Sequence, residues 1–516
     1  MKNIFTAEEM RKADSLTIRD IGIPGIVLME NAGAGIVCAM EKKIDNLKRK
    51  KVLVVCGKGN NGGDGFVIAR LLLLKGFHVQ VVLLGEIKDL AGDARTNAEV
   101  ARNMKVPLYE TGKGNSRELS HAMRHTQIVV DAVFGTGLTR KVEGPAAKVI
   151  RQLNTLGKFT VAVDIPSGID SDTGQLSGPH IQANLTLALG AYKRSHFLFP
   201  AAEAMGQLEL IDIGIPHSVM DGFEESVSLL EAQDILACFP ERKRNSHKGT
   251  YGHLLILAGS KGKGGAAGLT ALSGLHSGAG LVTLGCPESM IPSQEWHPME
   301  VMSLPLPETG TGAMAEKAAE PTLEALKGKN ALAIGPGLGT SPSTLKYLEA
   351  LLPGISCPMV IDADGLNLLG KKKSLLNQLP KGTILTPHPK EMSRLTGLST
   401  PVIQKNRLKT VQDFCTQFKV ILVLKGAHSL IGLPDGRIRI NPTGNAGMAT
   451  GGSGDVLTGL IGGFLAQGLP PEKAALAGVY LHGLSGDIYT RQLSERSLIA
   501  GDLIDHLPTA IKEALG

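Results

Sequence analysis

The chain has 516 residues, 43% hydrophobic and 20% charged, which excludes disorder as its main theme and leaves room for about two to four domains. Lysine and arginine number 54 against 48 acidic residues, a formal charge of +6, too mild a surplus for a dedicated nucleic-acid binder. Aromatic residues make up only 4%, which argues against stacking platforms for single strands. The basic clusters at 48–51, 242–244 and 371–373 read as solvated surface. The six cysteines have no paired spacing, and Cys56, Cys286 and Cys415 fall in apolar runs. A reducing, cytoplasmic setting is therefore expected. No apolar run approaches the roughly 18 residues that span a bilayer, so no membrane partner is expected.

The opening residues, 1–10, read as the start of an amphipathic helix rather than a leader. Apolar runs at 51–56, 78–84, 127–133, 159–165 and 184–189 then alternate with helical stretches such as 64–75 and 93–103. This is the pattern of a parallel sheet covered on both faces. Near Ile215 and Pro216 it breaks, and the polar stretch 221–225 leads through 228–238 into the basic segment 241–248. Strands resume at 253–258, 280–286, 330–334, 359–361, 383–385, 420–424 and 437–440. Each half can build its own core. The expected fold is α/β with two doubly wound domains: a Rossmann-like three-layer sandwich over 1–216 and a second three-layer sandwich over 228–516.

In the first half, the strand 51–56 runs into Gly57-Lys58-Gly59-Asn60-Asn61-Gly62-Gly63-Asp64-Gly65 and then a helix. Glycines at such a turn let backbone N–H groups approach a phosphate, and the helix N-terminus adds the positive end of its dipole. Gly57, Gly59 and Gly62 match the dinucleotide-binding spacing, with Glu86 about where a ribose-binding acid would lie. Two further strand ends carry polar, glycine-rich tips: Asp131 followed by Gly135-Thr136-Gly137, and Asp164 followed by Pro166-Ser167-Gly168. Ligands bind outside the carboxyl ends of parallel strands, so Asp64, Asp131 and Asp164 are expected to converge on one crevice. NNGGDG, DAVFGTGL and DIPSGID together resemble the NAD(P)H-hydrate epimerase domain, over residues 1–215. The resemblance implies that Asn60, Asn61, Gly62, Gly63 and Asp64, with Gly135, Thr136, Gly137, Leu138, Thr139, Arg140 and Lys141, hold the hydrated dinucleotide. It places Asp164 at the reacting ring as the catalytic residue and K⁺ on Asn61, Asp131 and Ser167. Hard oxygen ligands suit such a cation.

In the second half, the segment from Asn445 through Gly451-Gly452-Ser453-Gly454-Asp455 precedes an apolar helix at 456–466. Consecutive glycines at a helix start form an anion hole for a transferring phosphoryl group. Asp455, on the first turn, is placed to take a proton from a hydroxyl, with the helix dipole expected to keep its carboxylate ionised. Thr386-Pro387-His388-Pro389-Lys390-Glu391, Lys425-Gly426-Ala427-His428-Ser429 and Gly335-Pro336-Gly337-Leu338-Gly339 are further strand-end turns. GGSGD, TPHPKE and VLKG resemble the ribokinase-like superfamily. With KGTYGHLLILAGS, GPGLG and VIDADGLN they resemble the ADP-dependent NAD(P)H-hydrate dehydratase, over about 230–516. That resemblance implies that Gly337, His388 and Asp455 contact the hydrate, with Ala266 a further contact and Asp455 catalytic. Lys425, Gly426, Ala427, His428, Ser429 and Gly454 would contact the adenine nucleotide, and Glu391 would sit near Mg²⁺.

Taken whole, the chain resembles the bifunctional NAD(P)H-hydrate repair enzymes. The first half would epimerise the R and S hydrates at C6, and the second would dehydrate the S hydrate at the expense of ADP or ATP. Expected partners are hydrated NADH or NADPH and an adenine nucleotide, with no nucleic acid and no membrane, in a cytoplasmic homo-oligomer. Two other readings stay open. One is a ribokinase-like small-molecule kinase fused to a non-catalytic dinucleotide-binding or dimerisation domain, which would release a stable phosphorylated product. The other, a plain NAD-dependent dehydrogenase, lacks a recognisable catalytic His/Asp arrangement.

Overall fold

In the computed structural model, which describes residues 1–113, 116–138, 140–291 and 299–516, the chain separates into two compact units. One is Asn3–Glu225 and the other is Ser226–Gly516 with Met1–Lys2.

The front unit is built on a 7-stranded sheet in the order Leu108–Glu110, His78–Leu83, Lys51–Cys56, Ile128–Ala132, Phe159–Val163, Leu185–Leu189, Gln207–Ile211. Every neighbouring pair is parallel. The inner strands are continuous apolar runs because helices cover both faces of the sheet. The order reverses between Lys51–Cys56 and Ile128–Ala132, where Cys56 lies opposite Ala132. That reversal opens a crevice at the strand ends. The opening residues differ from expectation: Lys2–Phe5 is a strand parallel to Tyr192–Lys193, with Phe5 opposite Lys193. Helix Ala7–Leu16 begins only after Thr6, whose Oγ1 accepts the Glu9 N–H at 3.1 Å. Ile4 and Phe5 are adjacent and both buried, as successive residues of a strand covered on both faces are.

In the rear unit the sheet order is Met302–Leu306, Leu281–Pro287, His253–Leu257, Ala331–Ile334, Met359–Ile361, Ile384–Leu385, Ile421–Leu424, Leu430–Gly432, Ile438–Ile440, Val227–Leu229. Pairing is parallel except where Leu430–Gly432 meets its two neighbours. The order reverses between His253–Leu257 and Ala331–Ile334, giving this unit its own switch point. Met302–Leu306, Leu430–Gly432 and Val227–Leu229 were not expected as strands. Met302–Leu306 lies at the sheet edge, and the other two are only three residues long, too short to show as an apolar run. Helix Ser453–Ala466 is apolar all round and lies directly on helix Gly264–His276. Gly459 permits this approach, since a Cβ there would come 2.0 Å from the Thr270 carbonyl oxygen.

Candidate active sites at the two switch points

A cavity of about 1130 Å³ opens at the front switch point. Asn60, Asn61, Asp64, Gly135, Thr136, Gly137, Leu138, Arg140, Lys141 and Asp164 all line it. Gly62 and Gly63 do not reach it. They pack inward, and a Cβ on Gly62 would meet the Gly57 carbonyl oxygen at 2.1 Å. Thr139 lies outside the described residues. The expectation that Asp131 joins Asp64 and Asp164 on the cavity wall is corrected, because its side chain is fully buried beneath the wall. There its carboxylate accepts Ser167 Oγ–H at 2.6 Å and Ser167 N–H at 2.7 Å. Burial lifts its pKa to about 6 against the lowering by these hydrogen bonds. Asn61 is half-buried, and its Nδ2 is buried and unpartnered among the described residues. Glu86 does not reach the cavity either, because it caps the turn Ile87–Asp89 and pairs with Lys88 at 2.9 Å.

Asp164 is held from three directions. Lys193 Nζ donates to its Oδ1 at 2.5 Å, and the Leu189 N–H donates to the same oxygen at 3.0 Å. His196 Nδ1 accepts the Lys193 N–H, which leaves Nε2 as the donor to the Asp164 carbonyl oxygen at 2.9 Å. Burial, with Lys193 beside it, lowers the His196 pKa to about 4, so this ring is a neutral brace. It supports an Asp164 backbone in the left-handed region at φ 64°, a conformation tolerated by Asp and Asn more than by most residues. Lys193 also lines the cavity, as does Asp14 from the opening helix. Burial is the main cause of Asp14's pKa of about 6, Lys193 lowering it and Asp164 raising it. Sequence reasoning named none of Asp14, Lys193 and His196. The position of Lys193 just after strand Leu185–Leu189 was a usable signal, whereas Asp14 carries no local mark.

At the rear switch point, Gly337 and Ala266 come together. A Cβ on Gly337 would lie 3.3 Å from the Ala266 Cβ, and Ser260 Oγ donates to the Gly337 carbonyl at 2.7 Å. The helix bearing Asp455 starts from Gly452, whose φ of 93° suits glycine. Beside it, Asp362 accepts Lys425 Nζ at 2.6 Å and Thr458 Oγ1 at 2.8 Å. Gly454 faces the same pair, its missing Cβ falling 3.1 Å from Lys425 Nζ. The expected effect of the helix dipole on Asp455 is outweighed. Burial, together with Asp362 and Asp364, pushes its pKa up to about 6 against the lowering by Lys425.

His388 caps helix Pro389–Thr396, its Nδ1 accepting the Lys390 and Glu391 N–H groups at 3.1 and 3.3 Å. Burial chiefly lowers its pKa. Glu391 completes the cap by accepting the His388 N–H at 2.8 Å, and burial raises its pKa to about 7. Across the turn 425–429, the guanidinium of Arg407 holds the carbonyls of Ala427 and His428 at 2.9 and 3.3 Å. Ser429 Oγ closes the turn onto Gly426 O at 3.0 Å. Asp362 and Arg407 escaped sequence reasoning, although Asp362 sits in the quoted VIDADGLN stretch. Among the described residues no group of three or more His, Cys, Asp or Glu could hold a metal ion, and no helix is long and apolar enough to cross a membrane.

Two parallel-sheet switch points, one with a carboxylate-lined cavity and one with a glycine turn leading into Asp455, define a two-unit α/β enzyme of nucleotide chemistry. Residues 254–509 match the NAD(P)H-hydrate dehydratase family, and residues 25–195 match the YjeF-related protein N-terminus. A relative from Moorella thermoacetica, named bifunctional NAD(P)H-hydrate repair enzyme Nnr, is 43% identical over 511 residues, covering 99% of this chain and 96% of that protein. The Escherichia coli protein of the same name is 31% identical, covering 98% and 93%. Among solved structures, the ADP/ATP-dependent NAD(P)H-hydrate dehydratase from Bacillus subtilis, co-crystallised with ATP/Mg²⁺, is 35% identical with a TM-score of 0.50, covering 56% of this chain and 100% of that one. The chain belongs to the bifunctional NAD(P)H-hydrate repair enzyme family.

Proposed function

We propose that this chain repairs hydrated NADH and NADPH, with the front unit (1–216) epimerising the R and S hydrates at C6 and the rear unit (228–516) dehydrating the S hydrate with ADP or ATP. What carries the reading is the pairing of two sites in a chain related to repair enzymes end to end. One is a carboxylate-lined cavity, and the other sets Asp455 beside a glycine turn. Hydroxide is a poor leaving group. In the rear site Asp455 takes the proton of the C6 hydroxyl as its oxygen accepts a phosphoryl group from ADP, leaving AMP. The ring nitrogen then expels phosphate, a C5 proton is lost, and NAD(P)H results. The Gly451–Gly454 turn offers N–H groups to the phosphoryl oxygens. Gly337, Ala266 and His388 contact the hydrate, and the turn 425–429 with Gly454 takes the nucleotide.

In the front site, Asn60 through Asp64 and Gly135 through Lys141 hold the hydrated dinucleotide, with Asp164 at the reacting ring. K⁺ fits Asn61, Asp131 and Ser167. The buried, unpartnered amide of Asn61 becomes an oxygen ligand when its amide is turned, beside one carboxylate and one hydroxyl. Such an ion would supply positive charge near the substrate's phosphates. Mg²⁺ takes one or two carboxylates and otherwise phosphates and water. With its own carboxylate engaged in the helix cap, Glu391 is a neighbour of a nucleotide-borne Mg²⁺ rather than its main ligand. The protein acts in the cytoplasm as a homo-oligomer. The test is to incubate the full chain with both C6 epimers and ADP while following NADH absorbance. Complete conversion of both epimers, with AMP and free phosphate, is expected. A stable phosphorylated product would instead identify a small-molecule kinase.

A further inference from the structure

Inverting C6 of the hydrate requires one group that releases the hydroxyl on one face of the ring and another that delivers water to the other face. Asp164, ion-paired with Lys193 at 2.5 Å, can serve only one of these roles at a time. A second carboxyl is available in the same cavity. Asp64 is only 8% exposed, lines the cavity and has no hydrogen-bond partner among the described residues. A buried polar group without a partner is costly. Here the open direction is the cavity itself, so the partner missing from the protein is supplied by what binds there.

The sheet sets the two carboxyls apart. Asp64 lies on the first turns of the helix that follows strand Lys51–Cys56, and Asp164 follows strand Phe159–Val163. These two strands flank Ile128–Ala132, so their ends lie about 10 Å apart at ordinary sheet spacing. That spacing leaves room for a flat ring between the two strand ends. The two environments also differ in charge. Asp164 has the Lys193 ammonium hydrogen-bonded to it, while for Asp64 burial, then Asp164 and Asp14, raise the pKa well above the usual carboxylate range against a lowering by the more distant Lys193. A buried carboxyl raised in this way can carry the proton that an acid in this cavity must deliver.

Resting on the epimerase reading above, we infer that Asp64 is a second catalytic residue of the front site, the proton donor to the C6 hydroxyl, with Asp164 as the acceptor on the opposite face. Asp64 gives its proton to the hydroxyl as the C6–O bond breaks and water departs, and the ring-nitrogen lone pair forms a C6=N bond. A water molecule then adds from the other face. Its oxygen bonds C6, its proton goes to Asp164, and the electron pair returns to nitrogen. One water leaves and one enters, and one proton passes from Asp64 to Asp164. The reverse epimerisation uses the same residues with roles exchanged.

The experiment uses the full chain, the isolated R hydrate and epimer-resolved chromatography, with Asp64→Asn, Asp64→Glu, Asp14→Asn and Asp164→Asn variants. Amide-exchange protection in strands Lys51–Cys56 and Phe159–Val163 checks that the front unit of each variant is folded. Asp64→Asn should lower kcat for epimerisation on the order of 10²–10⁴-fold with little change in KM, and Asp64→Glu should recover part of it. In heavy-oxygen water each epimerisation should bring one solvent oxygen into the product. Raised KM with unchanged kcat in Asp64→Asn would reduce Asp64 to a binding contact and overturn the proposal. So would retention of the original oxygen, or a full loss in Asp14→Asn that Asp64→Asn does not share. If Asp64→Asn and Asp164→Asn both epimerise normally, the epimerase assignment of the front unit itself fails.

Discussion

Replacing Lys193 with methionine tests whether the front site depends on a desolvated ion pair. Lys193 is 1% exposed and Asp164 7% exposed, with Nζ 2.5 Å from Oδ1. The same ammonium donates to the Leu189 carbonyl at 2.6 Å. Lys193→Met keeps the unbranched stem of the side chain, one atom shorter, but leaves a buried carboxylate without its cation, a change that typically costs about 3–5 kcal/mol. At about 1.4 kcal/mol for each tenfold, amide-exchange protection in strands Phe159–Val163 and Leu185–Leu189 should fall by roughly 10²–10⁴-fold. Epimerase activity should disappear, because the remaining carboxyl takes up a proton or draws in water. The double variant Asp164→Asn with Lys193→Met removes both charges. Asparagine accepts the left-handed backbone at φ 64° and can still accept the Leu189 N–H. Most of the protection should return while epimerisation stays absent. The result that would refute the reasoning is a single variant costing less than about 1 kcal/mol, the value of an exposed pair.

Asp455→Asn should slow dehydration on the order of 10²–10⁴-fold while leaving epimerisation at the wild-type rate, as measured by NADH formation from the S hydrate. Because burial lifts Asp455 to a pKa of about 6 and the base must be ionised, the wild-type dehydration rate should be full above that pH and fall as pH drops through it. A pH profile flat down to 4.5, well below that value by more than about one unit, would remove Asp455 from that role. Asp131→Ala should abolish epimerisation and its dependence on K⁺ without touching dehydration, read by comparing K⁺ with a bulky organic cation in the buffer. A fragment from residue 228 onward should be folded and dehydrate the S hydrate alone, leaving roughly half of an equal epimer mixture unrepaired apart from slow spontaneous exchange. Circular dichroism with an epimer-resolved assay checks this.

Both sheets were legible in the sequence where strands are inner and parallel. Lys51–Cys56 and Met359–Ile361 are short apolar runs closed by Gly57 and Asp362, and that signal is contained within a few residues. The glycine turns were legible for the same reason, and so were Asp164 and Asp455, each standing beside such a turn. Very short strands such as Leu430–Gly432 were not, because a three-residue segment at a hairpin needs no distinctive pattern.

The state of the candidate catalytic groups was decided by tertiary structure. The partner of Asp164 is Lys193, which a parallel pairing with the opening strand holds in place. Asp14 reaches the same cavity from a helix whose opening, by sequence, reads only as amphipathic. Asp455 was expected to be kept ionised by its helix dipole, and is instead raised by burial and by Asp362 and Asp364, brought in from another strand end. The sequence by itself determined the parallel α/β pattern, the strand-end turns and the residue types offered there, since these follow from local spacing. Only the tertiary structure decided which carboxyls are paired, unpartnered or buried, since desolvation and charge coupling depend on neighbours that lie far apart in the chain.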